Sequence, residues 1–418
     1  MIDRYPFPEK AVYKCLLAAY LFLILYFTRV SQVSHYLIGF YKAQFVCLAL
    51  TAAAVLGFLL YNRKRLKDIL LNRRMALALL FAALILIPMV CKRDWQMMYF
   101  SILFSILIGV FLSYFVSCAQ AAKTYCLIVT ALAVYSLAAF FLLRPLADQG
   151  ILRPPVFVND YGGEFYNFLL AFVPKNLVRE RNFGIFREPG VYQFFLVLAL
   201  YMSFFHVCWE KELHMWLCGG ILCVTVFSTF STGAVAATAL LLLCVYFERK
   251  LYRTKPGRLL TAGVLVLGCG AIAYLVIRKP PMYTTLLYMI QKVTPGNPSF
   301  DDRFESIRLN LHLLSFNPKV GRNVAYILEM IQDNTSSTTI LFAILGVVSG
   351  WLHVIAWVCL VFRGKGHPVS KLACLLALAV TFNTQNLISE PYLWIFPIMA
   401  LIEAVGTLPG RLVSKKKT

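Results

Sequence analysis

The sequence predicts an all-α polytopic membrane protein, and three observations support that prediction. Of its 418 residues, 60% are apolar and 15% are aromatic, against roughly 45–50% apolar residues in an ordinary soluble domain. The apolar residues form about twelve runs, most of them near the length that crosses a hydrocarbon core. The chain has 40 basic and 19 acidic residues, and the basic ones cluster between these runs, as in loops that orient membrane helices. We therefore expect one integral membrane domain over residues 1–418.

The predicted spans follow one another with two long interruptions. They cover residues 11–28, 44–62, 75–91, 96–117, 125–143, 191–208, 215–228, 231–247, 259–277, 338–362, 372–386 and 392–407. The shorter runs, such as 215–228, are expected to be tilted or extended by their neighbours. The interruptions at 144–190 and 278–337 are predicted to be two long, partly helical loops.

The distribution of Lys and Arg predicts an orientation for these spans. If the N-terminus is cytoplasmic, short outer loops hold only four basic residues, whereas clusters such as 63–74 and 249–258 lie inside. The other outer basic residues fall in the two long loops, which largely escape the positive-inside rule. Both termini are therefore predicted to be cytoplasmic, and both long loops external.

Polar and charged side chains collect in the long loops rather than in the spans. Ionisable residues are rare in the apolar runs, with Lys14 and Glu403 near run ends, which disfavours ion-coupled transport. The topology explains the basic excess, so no nucleic-acid partner is predicted. All 12 cysteines lie in or beside apolar runs, so neither a disulfide framework nor a metal site is indicated. We expect chemistry at the external face without a metal or other cofactor.

The first long loop ends in the segment 181–190, which leads directly into an apolar helix. Pro189 suits a first helical turn, so Arg187 and Glu188 would lie at the positive end of a helix, where anions are favoured. Arg187 offers a bidentate donor for phosphate, and Glu188 either orients it or meets a substrate hydroxyl. The alternative is a simple ion pair at the lipid headgroup boundary. Arg181 is a further candidate for substrate binding.

The second long loop contains a predicted helix over residues 301–314. Its apolar residues recur at helical spacing, at Phe304, Ile307, Leu311 and Leu314. Arg308 has Glu305 one turn before it, so its charge is expected to be occupied. Arg303 lacks such a partner, and we favour it over Arg308 as a ligand for an external anion. Arg322 follows an Asn-Pro turn and is a third candidate.

Two shorter polar motifs precede apolar helices. In the run 332–337, Asp333 is a candidate to accept a proton from an attacking hydroxyl, with Asn334 beside it as a candidate for substrate binding. The alternative for this run is an ordinary helix cap. In the run 227–233, Ser231 offers a hydroxyl at the same face, and capping is again the alternative.

Taken in order, these motifs resemble the O-antigen polymerase and O-antigen ligase superfamily, and more closely its Wzy-type polymerases. The similarity covers about residues 145–362. Its elements are the turn 184–190 that opens a span, the turn 231–233, the Arg-rich helix followed by Asn317-Pro318, and the run 333–337 before a span. The resemblance implies a GT-C-like membrane enzyme that transfers sugar from undecaprenyl pyrophosphate without a metal.

The resemblance also implies roles for individual residues. Arg187 and Arg303 would hold the pyrophosphate leaving group, with Arg308 or Arg322 assisting. Ligases of the superfamily usually have a Ser-Arg pair where this chain has residues 231–233, and a His-Asn pair where it has Asp333 followed by Asn. Both departures favour a polymerase, and neither identifies the residue that acts as the general base.

The partners implied are a glycan donor and a glycan acceptor, both linked to undecaprenyl pyrophosphate, together with membrane lipid, a chain-length regulator and a flippase. The location implied is the bacterial inner membrane, with the active face periplasmic or extracellular. One alternative is an O-antigen ligase or a glycan-to-protein transferase. Another is a transporter of lipid-linked oligosaccharides, which the lack of a clear internal repeat or broken helix weakens.

Overall fold

The computed structural model describes most of the chain. The described residues are 10–61, 63–65, 72–159, 162–175, 181–278, 296–331 and 334–407, with the single positions 287, 291 and 294. They are mainly helical, which confirms the predicted all-α class.

Each of the predicted apolar runs coincides with a helix. The helices are α1 Lys10–Tyr26, α2 Phe40–Tyr61, α3 Arg73–Lys92, α4 Met97–Ser113, α5 Cys118–Ala138, α6 Pro189–Phe205, α7 Glu212–Ser228, α8 Thr232–Glu248, α9 Lys255–Arg278, α10 Pro298–Phe316, α11 Val324–Met330, α12 Ser337–Arg363, α13 Pro368–Phe382 and α14 Ile395–Thr407. Helix α5 continues through a π-helical stretch, Ala139–Leu143, into a last turn, Arg144–Asp148. Helices α10 and α11 lie in the second long loop.

The longest apolar helices are compatible with a membrane protein. Among the described residues, three helices are long and apolar enough to cross a bilayer, namely Arg73–Lys92, Cys118–Asp148 and Ser337–Arg363. Several shorter apolar helices of 10–17 residues accompany them. Helix α6 is buried along almost its whole length, so it forms the centre of the bundle.

The first long loop carries a small antiparallel sheet that the sequence did not predict. Its strands are β1 Val156–Val158, β2 Glu164–Asn167 and β3 Phe172–Pro174, in the order β1-β2-β3. Phe157 pairs with Phe165 in the first ladder, and Tyr166 with Val173 in the second. Strands of three and four residues are too short to give a clear alternating pattern, so hydropathy alone does not reveal them.

The bundle has two ends. The end that carries the long loops is called the loop end below. The helices that finish there include α1, α5, α7 and α13. The helices that begin there include α6, α8, α12 and α14. At the opposite end, Ser370 Oγ donates to Glu248 Oε1 at 2.5 Å, and Arg363 pairs with Glu403 at 3.1 Å. These polar contacts fasten four helices together where the apolar packing stops.

Helix α12 is broken at Gly346, whose φ of 80° is non-helical. The chain after α10 fills the break. Val347 N donates to Pro318 O at 2.8 Å, and Arg322 N donates to Ala343 O at 2.7 Å. The sequence showed no clear broken helix, yet the structure has one, and a loop of the same chain supplies the backbone partners that the helix loses.

The helix predicted over 301–314 is confirmed as α10, and its buried face includes polar residues and leaves out two of the apolar ones. Ser306, Asn310 and Leu313 are buried, whereas Phe304 and Leu311 are 60% and 50% exposed. Polar partners explain the difference, because the Asn310 amide is paired across to the residues that begin α12. Apolar spacing therefore predicted the helix and not its orientation.

Candidate functional site

At the loop end, the residues that follow α1 pair with the residues that precede α6. Gln32 N donates to Ile185 O at 2.8 Å, and Arg187 N donates to Val30 O at 2.9 Å. A short antiparallel bridge thus holds the two segments together. The bridge places Arg29, the residue before Val30, in the segment that pairs with the segment of Arg187.

A buried carboxyl group lies within reach of the charges of these two arginines. Glu390 is 1% exposed, and Thr28 Oγ1 donates to its Oε2. Arg29 Nη1 donates to Ser389 Oγ at 3.5 Å. Burial raises the pKa of Glu390 to about 8, although the charges of Arg29 and Arg187 both act to lower it. The carboxyl is therefore mostly protonated at neutral pH. Thr28, Arg29, Arg187, Ser389 and Glu390 form what is called the Arg29–Glu390 cluster below.

Arg187 and Glu188 remain reachable at the edge of the cluster. Their side chains are 36% and 33% exposed, and Arg187 Nε lies 3.6 Å from Glu188 Oε1. Glu188 occupies the N-cap position of α6 but makes no capping hydrogen bond through its side chain, and Pro189 begins the helix as predicted. Nearby, the buried Gln32 amide has no hydrogen-bond partner among the described residues. The N-terminus of α6 thus presents polar groups that the helix itself does not use.

An apolar groove of about 650 Å³ begins at the cluster. Arg29 and Ser389 lie at its polar end, and Phe45 of α2 with Phe100 and Phe104 of α4 line its apolar walls. A groove with apolar walls and a guanidinium group in its lining suits a ligand that joins an anion to a hydrocarbon tail.

A hydrogen-bonded chain of side chains runs beside α6 in the same region. Ser231 Oγ donates to Gln193 Oε1 at 2.6 Å, and Gln193 Nε2 donates to Thr384 Oγ1 at 2.6 Å. Ser231 is the N-cap residue of α8, but its hydroxyl does not cap the helix. The Ser231 hydroxyl is instead engaged by Gln193 of α6.

The segment that follows α13 joins this chain to the start of α12. Ser336 Oγ donates to Asn383 Oδ1 at 2.9 Å, and Ser337 Oγ donates to the backbone oxygen of Gln385 at 2.6 Å. Ser336 also caps α12, which confirms the capping alternative for that motif. A Cβ atom on Gly190 would lie 2.6 Å from Gln385 Nε2, so the small residue after Pro189 lets the segment approach α6.

The remaining predicted residues of the first loop and the polar motifs are mostly engaged by the protein. Arg181 Nε donates to Thr229 O at 2.8 Å, which ties the first loop to the turn before α8. Asn334 and Asn310 exchange amide hydrogen bonds of 2.8 and 3.1 Å. Asp333 lies outside the described residues.

The three arginines of the second loop have different environments. Arg308 is exposed and pairs with Glu305 through bonds of 2.9 and 2.8 Å, which confirms the predicted partner. Arg303 is half-buried, burial lowers its pKa while Asp302 acts to raise it, and its guanidinium has no hydrogen-bond partner among the described residues.

Arg322 lies at the break in α12, where its backbone N–H donates to Ala343 O. Its guanidinium carbon is 5.1 Å from the ring centre of Phe316 and 5.9 Å from that of Tyr326. These cation–π contacts and the backbone bond to α12 indicate a structural role for Arg322.

Sequence reasoning missed Arg29, the segment 383–385 and Glu390. Arg29 was assigned to a short outer loop, and the segment 383–385 was included in an apolar span. A signal was present, since four consecutive polar residues, Asn383-Thr384-Gln385-Asn386, end that run and an acidic residue follows before the last span. Such a polar stretch is costly at an apolar helix end unless it has partners.

No family model, no curated protein and no solved structure matches this chain.

Proposed function

We propose that this protein polymerises lipid-linked oligosaccharide repeat units. The growing glycan would be transferred from undecaprenyl pyrophosphate to the acceptor repeat unit. The observation that supports this most directly is the pair of guanidinium groups on Arg29 and Arg187, whose charges both act on Glu390 and of which Arg29 lines an apolar groove. The order of the motifs in the sequence, which resembles that of the Wzy-type polymerases, supports the same class.

The pyrophosphate group would bind between Arg29 and Arg187 at the start of α6. Arginine matches phosphate oxygens with a planar, permanently charged set of donors, and the start of a helix adds partial positive charge. The mostly neutral Glu390 does not cancel these charges at pH 7. Arg303, which is half-buried and has no hydrogen bond among the described residues, is the candidate to bind a further phosphate oxygen or a sugar.

In the transfer step, an acceptor hydroxyl oxygen forms a bond to the anomeric carbon of the donor sugar. The bond from that carbon to the phosphate oxygen breaks, and undecaprenyl pyrophosphate leaves with the electron pair. Negative charge builds on the leaving group, so donors fixed in advance stabilise the transition state more than the ground state. Loss of one such donor is expected to lower the rate about 10²–10³-fold.

Glu188 is our candidate to accept the proton of the attacking hydroxyl. Its carboxylate is partly exposed, is not used in capping, and lies beside Arg187. Glu390 is unsuited to this role, because it is buried and bonded by Thr28.

We place the enzyme in the bacterial inner membrane, with its termini cytoplasmic and the loop end periplasmic or extracellular. The positive-inside distribution of basic residues supports this orientation. The donor and acceptor lipids and membrane lipid are the partners of this reaction, and we propose a chain-length regulator and a flippase as further partners.

The test is replacement of Arg187, Arg29 and Arg303 singly by Ala and by Lys in a strain whose surface glycan depends on this protein. Membrane insertion is checked by immunoblotting, and glycan length is read from a gel. We expect single-repeat glycans from the Ala variants, because one repeat can be exported but not extended. The matched control is Arg308→Ala, which removes an exposed arginine of the same loop end.

Ladders of wild-type length from both Arg187→Ala and Arg29→Ala would disprove the assignment of the cluster. Full-length chains that accumulate on undecaprenyl pyrophosphate would instead identify a ligase. A loss of all surface glycan, with single repeats retained on the cytoplasmic side, would identify a transporter.

A further inference from the structure

A cavity of about 480 Å³ lies at the end of the bundle opposite the loop end. The start of α5, the ends of α6 and α12 and the second half of α14 meet around it. Two basic residues, Arg363 and Lys365, and one acidic residue, Glu403, are part of its lining. The lining shares no described residue with the Arg29–Glu390 cluster, so this is a separate site, called the α5–α12 cavity below.

The backbone after α12 fixes both basic residues at the cavity. Lys365 N donates to the backbone oxygen of Phe205, the last residue of α6, at 2.7 Å. A Cβ atom on Gly364 would lie 3.0 Å from Nε2 of the buried His206, so this glycine lets the turn pack closely against α6. The two residues that flank Gly364 are therefore held in place by the backbone, and their side chains need little ordering when a ligand binds.

The donors of the two basic side chains are only partly used by the protein. Arg363 Nη2 donates to Glu403 Oε2 at 3.1 Å, and its other guanidinium nitrogens have no partner among the described residues. Lys365 Nζ reaches Val207 O at 3.4 Å, although an ammonium group has three donors. Glu403 Oε1 accepts from Cys118 N at 2.9 Å. Two cations and one carboxylate thus leave the cavity with a net positive charge and with donors to spare.

The start of α5 adds a backbone donor. Ser117 Oγ caps this helix by accepting from Gln120 N at 3.2 Å, and the N–H of Cys118 is bonded to the carboxylate as described. The N–H of Ala119, which lines the cavity, has no hydrogen-bond partner within the described part of the chain. Unpaired N–H groups in the first turn of a helix favour a bound anion.

We propose that the α5–α12 cavity binds a singly charged phosphodiester, the group that an anionic phospholipid carries in its head. Arg363, Lys365 and the N–H of Ala119 would donate to its two free oxygens. A diester fits the charge balance of the cavity, whereas a multiply charged phosphate would be repelled by the carboxylate of Glu403. The site takes no part in the proposed transfer, which occurs at the loop end.

The position of the cavity favours a lipid as the source of the phosphodiester. The ends of membrane helices lie near the headgroups, and basic pockets between such ends bind anionic lipid heads. Phe205 and Ala400 give the lining an apolar part. A bound head would connect four helices at the level where their apolar packing stops.

The experiment measures thermal unfolding of the purified full-length protein in a non-ionic detergent. The probes are phosphatidylglycerol, its deacylated head glycerophosphoglycerol, and phosphatidylcholine, whose head has no net charge. A ligand that binds only the folded state stabilises it, so we expect phosphatidylglycerol to raise the melting temperature by about a few degrees and phosphatidylcholine to leave it unchanged. A similar rise with glycerophosphoglycerol would show that the phosphodiester is sufficient, and a rise with phosphatidylglycerol alone would show that the acyl chains also bind.

Two variants should change the site in opposite directions. Lys365→Gln removes an exposed cation and keeps the backbone bond to Phe205, so it should fold and need about tenfold more phosphatidylglycerol for half of the rise. Glu403→Gln removes the negative charge and should need less lipid than the wild type. The matched control is Lys250→Gln, which makes the same change at an exposed position of the same end outside the lining and should respond like the wild type.

The proposal is overturned if phosphatidylglycerol does not stabilise the wild type, or if Lys365→Gln responds like Lys250→Gln. Arg29→Ala should keep the full response, because Arg29 lies at the loop end. A response that is lost in Arg29→Ala and kept in Lys365→Gln would assign the lipid to the Arg29–Glu390 cluster and also overturn the proposal. Glycan length is not part of these measurements, so their failure would leave the proposed function standing.

Discussion

Basic residues gather in two regions of the loop end. Their side chains differ between the two regions in hydrogen-bond partners and in exposure. At the break in α12, Lys92 Nζ donates to Tyr99 Oη at 2.6 Å, to Arg322 O at 2.9 Å and to Ile344 O. The three donors of an ammonium group are thereby all assigned to fixed acceptors within the protein. In the Arg29–Glu390 cluster, Arg29 is exposed and Arg187 is 36% exposed, and the nearby carboxyl is mostly neutral.

The comparison separates a cation whose donors are used within the protein from the cations that we propose bind the ligand. Breaking a helix leaves backbone carbonyl groups without partners, and a buried carbonyl without a partner costs free energy. Lys92 meets that need at Ile344. The cluster has no broken helix to repair, and its guanidinium groups lie where an external anion can reach them. The predictions below test whether this division holds.

The largest effect is expected from Gly346→Ala. Gly346 has a φ of +80°, and a Cβ atom there would collide with Lys319 O and lie 2.8 Å from Val320 N. Left-handed backbone strain and the clash with backbone atoms should together lower the free energy of unfolding by about 2–5 kcal/mol. Thermal unfolding in detergent measures the loss, with Gly57→Ala as the control, since its Cβ atom would occupy open space. Equal melting temperatures for the two variants would contradict the proposed role of the break.

A smaller loss is expected from Lys92→Met. The substitution keeps most of the side-chain volume and removes the donors to Arg322 O and Ile344 O, so the cost should be about 1–3 kcal/mol. Arg29→Met is the paired variant. It should change the melting temperature little and abolish pyrophosphate binding. If Arg29→Met proves the more destabilising of the two, the division between structural and binding cations is wrong.

The helical framework could be predicted because hydropathy is a local property of the sequence. Each apolar run became a helix, Pro189 began α6, and Glu305 paired with Arg308 one turn away. These features depend on residues at most a few positions apart, and the periodicity of a helix relates such residues directly.

The candidate site could be predicted only in part, because its members are far apart along the chain. Arg187 was found from its position before a helix, whereas its neighbours Arg29 and Glu390 come from the first and last parts of the protein. Nothing local links Thr28 to Glu390, which are 362 positions apart. Their meeting follows from the packing of α1 against the helices around it, and no pattern within one segment encodes that packing.

The pH dependence of Glu390 gives an intermediate test. Burial raises the pKa of its carboxyl to about 8, above the ordinary value of about 4.3, so between these values the folded protein holds a proton that the unfolded chain releases. The stability that this proton confers is fully present below the ordinary pKa and is lost as the pH rises through about 8. The melting temperature of the wild type should therefore fall between pH 6 and 9 by about a few degrees.

Glu390→Gln keeps a neutral group of similar shape and should flatten this dependence. Pyrophosphate affinity should follow the same pattern, since an ionised Glu390 competes with the ligand for Arg29 and Arg187. The wild type should thus bind more weakly above pH 8, and the variant should not. A variant whose affinity falls with pH as steeply as that of the wild type would show that another group titrates.

The smallest effect is expected from Arg308→Ala, and it decides whether every arginine of the loop end contributes to binding. Arg308 is 76% exposed at its side chain and is already paired with Glu305. Ion pairs in solvent contribute little to stability, because water screens them and both side chains lose freedom. The residue also lies two positions from the buried Asn310, on the other side of α10. Melting temperature, pyrophosphate affinity and glycan length should therefore all stay at wild-type values, whereas a shortened glycan would show that the second loop moves Arg308 toward the substrate during the reaction.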